Sequence, residues 1–136
     1  MFKKDSRFEF YNMTEKQKFV ESLKLRTRKF AIDTILFCDS LKANKASSVI
    51  TYQLVKSATS TGANYRAACR ARSKKEFFSK LCIVVEEADE SAYWLELIKE
   101  TALSKNTKYL EILRKEAIEI QKIFGKAKNS TYSSKL

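Results

Sequence analysis

The sequence predicts one all-α domain, an antiparallel up-down-up-down four-helix bundle, from three observations. The chain has 136 residues, of which 44% are hydrophobic and 32% are charged, so it can bury one core. It contains no proline and only two glycines, whereas β-sandwiches and β-barrels need many turns built from these residues. Four amphipathic segments with short connections follow one another over residues 14–125.

The bundle domain, residues 14–125, is flanked by two segments with weaker patterning. Residues 1–13 are predicted to be a loose N-terminal arm, and residues 126–136 a flexible basic tail. Met13 is an alternative start of the protein. The first residues lack the apolar run of a signal peptide, and no run of 18 apolar residues predicts a membrane span.

The first two helices are predicted from their caps and apolar spacing. Thr14 and Gln17 have the form of a capping box at the start of a helix over residues 14–41. Residues 40–48 are predicted to be a loop in which Asn44 and Ser47 are turn or cap candidates, and the second helix is predicted over about residues 48–72. Residues 59–62 have poor helix propensity and either break this helix or are held in it by neighbouring helices. Small side chains around them let two backbones approach closely, which favours a continuous or slightly kinked helix.

The last two helices have clearer boundaries. Ser73 and Glu76 form a second capping box, so the third helix is predicted to start at Ser73. The fourth helix is predicted to start near Asn106 or Thr107. Gly125 is a natural residue to follow its last turn.

Composition excludes several kinds of catalysis. There is no histidine, which removes Ser-His and Cys-His nucleophilic chemistry and imidazole metal sites, and there is no Gly-rich phosphate loop. The cysteines Cys38, Cys69 and Cys82 are odd in number and form no C-x-x-C pair. They are interpreted as buried free thiols in a reducing cytoplasm, with an unassisted thiolate nucleophile as the alternative. The sequence therefore predicts a cytoplasmic protein that is not an enzyme and holds no cofactor.

The net charge points to a polyanionic partner. Lys and Arg number 27 against 16 Asp and Glu, which gives a formal charge of +11 and a pI near 9.6. RNA or DNA is the simplest partner of such a protein. The alternatives are the lysine excess that many small helical proteins carry and attraction to an anionic membrane surface.

Charge is unevenly divided between the second and third helices. Residues 56–80 hold seven basic residues and one acid, whereas residues 81–100 hold six acids and one basic residue. Arg66 and Arg70 share a helix face at i, i+4, and arginine forms bidentate hydrogen bonds with phosphate. The alternative is that these arginines pair with acids of the same or a neighbouring subunit. The predicted nucleic-acid-binding residues are Arg66, Arg70, Arg72, Lys74, Lys75 and Lys80.

The acidic stretch raises the possibility of a metal site. Glu87 and Glu90 lie at i, i+3, as in di-iron bundles, but those sites also need Glu-x-x-His partners, which this chain lacks. We therefore predict no metal, and a solvated or intersubunit salt-bridge face instead. An aromatic pair such as Tyr93 and Trp94 is more typical of a core or an interface than of a base-stacking platform. The candidates for a subunit interface are Gly62, Asn64, Glu87, Glu90, Tyr93 and Trp94.

Three spaced elements form a family pattern. They are Ser-x-Gly-Ala-Asn at residues 60–64, a small-residue helix ending in Ser over residues 67–73, and Glu-x-x-Glu-x-x-Tyr-Trp-Leu over residues 87–95. This pattern resembles the four-helix bundle proteins of the 23S ribosomal RNA intervening sequence protein family, and the resemblance covers roughly residues 20–125.

The resemblance implies a four-helix bundle subunit and no settled catalytic activity. It also implies kinship to the basic accessory variability protein of diversity-generating retroelements, a homopentamer that binds nucleic acid and a reverse transcriptase. We accordingly expect a homo-oligomer, most simply a pentameric ring in which Arg66 or Arg70 meets Glu87 or Glu90 of the next subunit.

Two functions remain open at this point. One is a nucleic-acid-binding accessory protein that contacts the phosphates of RNA or DNA with little sequence preference. The other is a scaffold that binds another protein, with the positive charge serving solubility or the steering of that partner.

Overall fold

The computed structural model describes residues 12–134 and contains four α-helices. They are α1 (Glu15–Asp39), α2 (Lys45–Cys69), α3 (Lys74–Glu100) and α4 (Thr107–Ser133). No strand occurs among residues 12–134, and the predicted all-α, four-helix class is confirmed.

The first two helices begin at capping boxes. Thr14 Oγ1 accepts the Gln17 backbone N–H at 3.1 Å, and the Gln17 side chain accepts the Thr14 backbone N–H at 2.8 Å, as predicted. Asn44 and Ser47 make the same reciprocal pair at 2.9 and 3.0 Å. Asn44, one of the cap candidates, is thus the N-cap, and α2 begins at Lys45, one turn before the start predicted near residue 48.

The caps of α3 and α4 are also side chains. Ser73 accepts the Glu76 backbone N–H at 3.1 Å, which confirms the predicted start of α3. The Glu76 carboxylate, however, accepts the backbone N–H of Arg72 at 3.2 Å and not that of Ser73. Asn106 caps α4 by accepting the Tyr109 backbone N–H at 3.1 Å.

α2 is continuous through its weak segment, as predicted. Thr59 Oγ1 donates to the Val55 carbonyl at 2.7 Å, and Thr61 Oγ1 donates to the Ser57 carbonyl at 2.8 Å. Both hydroxyl groups thus form their hydrogen bonds within the helix, which allows Thr61 to be fully buried. Packing thus overrides low propensity here.

The predicted end of α4 at Gly125 is wrong. Gly125 lies inside the helix without a positive φ, and α4 continues to Ser133. Beyond the glycine, Ala127 packs against the core, and the ring of Tyr132 lies 5.7 Å from that of Phe78. These contacts make residues 126–133 helical, where a frayed tail was expected. Residues 1–11 of the predicted arm and residues 135–136 lie outside the described residues.

The helices form a closed four-membered bundle in chain order. α3 packs extensively on α2 and on α4, whereas α1 packs on α2 and only lightly on α4. Lys99 at the end of α3 lies 3.6 Å from Glu111 at the start of α4, and Phe37 near the end of α1 contacts Tyr109 of α4. Each of these contacts joins the end of one helix to the start of another, as the predicted antiparallel arrangement requires. The largest fully buried side chains are Phe30, Phe37, Phe124, Leu54, Leu81, Leu95, Ile98, Leu110, Leu113 and Ile120.

A few hydroxyls lie within this apolar core. The Oγ atoms of Ser57 and Ser91 are 2.8 Å apart, which links α2 to α3. Thr27 Oγ1 donates to the Leu23 carbonyl at 2.9 Å. Thr34 Oγ1 is buried without a hydrogen-bond partner among the described residues, which costs stability because the hydroxyl has lost its water.

The cysteines differ from expectation in burial. Cys38, Cys69 and Cys82 are free, as predicted, but each is half-buried and not fully buried. Burial raises the pKa of the Cys38 thiol to about 11, so it is protonated at neutral pH. Within residues 12–134, no helix is long and apolar enough to cross a membrane.

Candidate nucleic-acid interface

α2 carries cations and no carboxylate. The segment from residue 40 to residue 75 contains no Asp or Glu; the nearest acids are Asp39 and Glu76. The positive charges on this helix are therefore not neutralised from within it. The helix also ends next to Arg70, so the guanidinium groups of Arg66 and Arg70 lie around its last turn.

Arg66 and Arg70 line a groove between α2 and α1. The opposite wall carries Lys24 and Arg28 of α1, and the hollow between the two helices has a volume of about 480 Å³. We call Lys24, Arg28, Arg66 and Arg70 the cationic groove. Glu21 is its single acidic lining residue, and its carboxylate lies 3.2 Å from Lys24 Nζ.

The arginines of the cationic groove are uncommitted. Arg28, Arg66 and Arg70 are exposed, and none forms an ion pair in the part of the chain that the structure describes. By contrast, Arg26 on another face of α1 holds Glu116 of α4 with two bonds of 2.6 and 3.0 Å. Pairing of Arg66 and Arg70 with acids of their own subunit, one of the two alternatives, is thus not seen in residues 12–134. Their planar donors face solvent, ready for an anion.

The neighbouring groove, between α1 and α4, shows the opposite arrangement. Its hollow of about 450 Å³ is lined by equal numbers of acidic and basic residues. Arg26 is paired with Glu116, and Lys29 with Asp33. The Glu116 hydrogen bond raises the pKa of Arg26, as expected for a satisfied ion pair. This compensated surface has no comparable attraction for phosphate.

Gly62 sets the closeness of the two helices that form the cationic groove. A Cβ atom at this position would lie 3.3 Å from Thr27 Oγ1 of α1. Because glycine has no side chain, α1 can approach α2 closely at this point. Small lining residues such as Ala63 leave the space between the two helices open. Gly62 thus has a packing role within its own chain, and its place in a subunit interface stays a prediction.

The remaining predicted cations lie away from the groove. Arg72 Nε is 3.5 Å from Glu76 Oε2, and Lys74 Nζ donates to the backbone carbonyl and the hydroxyl of Ser134, the residue that follows α4. Lys75 is exposed on the first turn of α3, and Lys80 is half-buried. The structure therefore separates the six predicted residues into a groove pair and a group at and beyond the α2–α3 corner.

Lys24 and Arg28 were missed by the sequence analysis. They share one face at i, i+4, the same spacing that singled out Arg66 and Arg70. That spacing was available in the sequence. Which neighbouring helix the pair faces follows only from the rotation of α1 about its axis.

The predicted interface residues on α3 are partly committed within the chain. Trp94 Nε1 donates to Glu90 Oε1 at 3.2 Å, and its ring contacts that of Tyr93 at a centroid distance of 5.1 Å. Burial raises the pKa of Glu87, and the charge of Glu90 raises it further, whereas Lys56 lowers it. On α2, the amide of the remaining candidate, Asn64, donates within its own helix.

The outer face of α3 is acidic. Tyr93 is 51% exposed on it. Within residues 12–134, no three His, Cys, Asp or Glu side chains come close enough to hold a metal ion. The absence of a bound metal stays a prediction. The exposed acids on this face are Glu86, Asp89, Glu96 and Glu100.

Comparison with known proteins places this fold in a family. The crystal structure of a protein of unknown function from the S23 ribosomal protein family of Bacteroides thetaiotaomicron VPI-5482 is 31% identical. It matches over 81% of this chain and 97% of its own, with a TM-score of 0.73. No curated protein matches the chain. The family model for the 23S rRNA-intervening sequence protein matches residues 22–126, and the chain therefore belongs to that family.

Proposed function

We propose that this is a non-enzymatic nucleic-acid-binding protein whose cationic groove holds a phosphate backbone. The observation that carries the proposal is the convergence of three unpaired arginines, from two helices, on one open groove. Arginine donors in a fixed fork match phosphate oxygens bidentately. Because α2 has no carboxylate, nothing on that helix competes with the ligand for these donors.

The chemistry of the groove predicts little sequence preference. Its polar groups are cations that contact phosphates, and base edges are read by directed donor and acceptor pairs that this groove lacks. The corner residues Arg72, Lys74, Lys75 and Lys80 extend the positive surface beyond the groove. The ligand is RNA or DNA, bound through its backbone.

A salt titration tests the proposal. Binding of the wild type to labelled oligonucleotides should weaken steeply with salt, with a log–log slope of roughly −0.9 per phosphate neutralised on duplex DNA. The variant Arg66→Gln, Arg70→Gln should lose about two units of this slope, because each arginine releases about one counterion. The matched control is Lys122→Gln, Lys126→Gln, which removes the same charge at the same i, i+4 spacing from exposed positions on α4.

Two outcomes would overturn the proposal. One is the absence of wild-type binding to any oligonucleotide at about 50 mM salt, where phosphate contacts are strong. The other is an equal loss in the groove variant and in the α4 control, which would trace binding to net charge and not to the groove.

We propose further that the protein self-associates, most simply as a pentameric ring. Leu25, Ile32 and Leu36 lie on one outer face of α1 and are 64%, 43% and 62% exposed, which is unusual for a monomer surface. Basic side chains flank this face, and the outer face of α3 offers Tyr93 among carboxylates. One face of a subunit thus complements a different face of the next, as a ring requires. Light scattering should give five times 15.7 kDa, and a single 15.7 kDa species would end the idea.

The second candidate function is a protein-binding scaffold. It is favoured by the same apolar face of α1, since a surface of this kind marks protein contacts. A reverse transcriptase is the partner that the family resemblance implies. This function takes over if wild-type protein binds no nucleic acid, and the kinship to the retroelement accessory protein, the cytoplasmic location and the lack of enzyme activity stay predictions.

A further inference from the structure

Tyr52 is an aromatic ring without an aromatic neighbour. Residues 12–134 contain five tyrosines, and four of them pack against another ring. Tyr52 makes no ring contact and no side-chain hydrogen bond in this part of the chain, and it is 67% exposed. Tyr132 is as exposed, at 68%, but is committed to Phe78.

Tyr52 lies in line with the cationic groove. Residues 52, 56, 59, 63, 66 and 70 follow one another at spacings of four and three, so they form one stripe along α2. The stripe begins with the tyrosine, passes Lys56 and two smaller residues, Thr59 and Ala63, and ends with Arg66 and Arg70. At a rise of about 1.5 Å per residue, Tyr52 lies roughly 21 Å from Arg66 along the helix.

The α1–α2 groove changes character along this stripe. Around Tyr52 the groove contains a hollow of about 630 Å³, whose lining includes Ile35, Leu36 and Val55. Lys56 lines the same hollow, and Asp39 is its single acid. The groove therefore has an apolar half with a free ring and, about four turns of α2 further along, a half lined by arginines.

We infer that the groove takes a single-stranded stretch of nucleic acid, with a base stacked on Tyr52 and the phosphates of following nucleotides on Arg28, Arg66 and Arg70. This inference rests on the proposed function and names its substrate class. Stacking on an aromatic ring next to a basic track is the way proteins hold single strands with little sequence preference. The anionic strand complements the acid-free helix that forms one bank of the groove.

A duplex does not satisfy both halves of the groove. Its phosphates can reach the arginines, but its base faces are already stacked on neighbouring base pairs, so Tyr52 and the apolar lining residues would gain no contact. An unpaired base covers both surfaces at once. The length of the stripe, roughly 21 Å from the tyrosine to Arg66, matches a site of several nucleotides.

Fluorescence anisotropy with a labelled 12-nucleotide oligo-dT and with a 12-base-pair duplex of mixed sequence tests the inference. Tyr52→Ala should weaken oligo-dT binding by about 5- to 150-fold and leave duplex binding unchanged, since a stacked base contributes that much. Tyr52→Phe should keep wild-type affinity because the ring remains. Tyr132→Ala, an equally exposed tyrosine on α4, is the control and should keep it too. A 2-aminopurine base in the oligonucleotide should be quenched by the wild type and Tyr52→Phe and not by Tyr52→Ala.

The outcomes separate this inference from the proposed function. No binding of the wild type to either oligonucleotide defeats both. Binding with an unchanged affinity in Tyr52→Ala, or a preference for the duplex, overturns the inference and leaves phosphate binding at the groove standing. If Tyr52→Ala lowers the mass measured by light scattering, the ring belongs to a contact between copies, which also overturns it.

Discussion

The two glycines of this chain should respond oppositely to the same substitution. Gly62 and Gly125 are both inside helices and neither has a positive φ, so alanine fits the backbone at each. An interior glycine costs a helix about 0.8–1.0 kcal/mol relative to alanine. At Gly125 a Cβ would meet nothing within 4 Å, so Gly125→Ala should raise the free energy of unfolding by nearly that amount.

At Gly62 the added atom has a neighbour. Its Cβ would lie 3.3 Å from Thr27 Oγ1, which is fixed because it donates to the Leu23 carbonyl inside the core. Overpacking of this kind costs about 1–3 kcal/mol. Subtracting the helix gain of about 1 kcal/mol, Gly62→Ala should lower the free energy of unfolding by up to about 2 kcal/mol.

Urea denaturation followed by circular dichroism measures both effects. In thermal unfolding of a domain of this size, a change of 1 kcal/mol in the free energy of unfolding shifts Tm by about 2–5 °C. A double-mutant cycle with Thr27→Ala should show that Gly62→Ala is milder when the hydroxyl is gone. Equal stabilisation by Gly62→Ala and Gly125→Ala would refute the close approach of α1 and α2 on which the groove depends.

Three further predictions follow from contacts in the core and on the surface. Thr34→Val should stabilise the protein by about 1 kcal/mol in urea denaturation, because it removes a buried hydroxyl without a partner among the described residues; a loss of stability would contradict this. Ser91→Ala should lower the free energy of unfolding by about 1 kcal/mol in the same assay, because it removes the 2.8 Å hydrogen bond that joins Ser57 of α2 to α3. An unchanged free energy would mean that this hydrogen bond is not formed. The hydrogen bond from Arg114 lowers the pKa of Glu111 from 4.5 to about 2 in the folded state, so its stabilising effect is complete above pH 4.5 and is lost as the pH falls towards 2. Between pH 4.5 and pH 2, the urea midpoint of Arg114→Gln should therefore fall less than that of the wild type. An equal fall in both proteins would show that the Arg114–Glu111 pair does not contribute to stability.

The fold was predictable because its signals are local. Thr14, Ser73 and Asn106 mark helix starts by their own side chains, and apolar spacing marks the buried faces. The error at Gly125 has a physical reason. A glycine signals a helix end locally, but Ala127 and Tyr132 beyond it gain tertiary contacts that keep the chain helical.

The candidate site was only half predictable. Arg66 and Arg70 stood out by their spacing and by the absence of acids around them. Their partners Lys24 and Arg28 are distant in sequence, and nothing local tells which neighbour they face. The exposure of Tyr52 has no local signal either, because it depends on how closely α1 covers the ring.

The light packing of α1 has a consequence for regulation. Since α1 packs on α2 and only lightly on α4, we expect its local unfolding to cost less than that of α2, α3 or α4. One bank of the groove belongs to this least anchored helix. If the proposed strand bridges both sides of the groove, its binding should stabilise α1 in place, and its affinity should fall in proportion to the fraction of molecules in which α1 is locally unfolded. Substitutions that weaken the packing of α1 on α2 should then lower the affinity for this ligand without removing any positive charge from the groove.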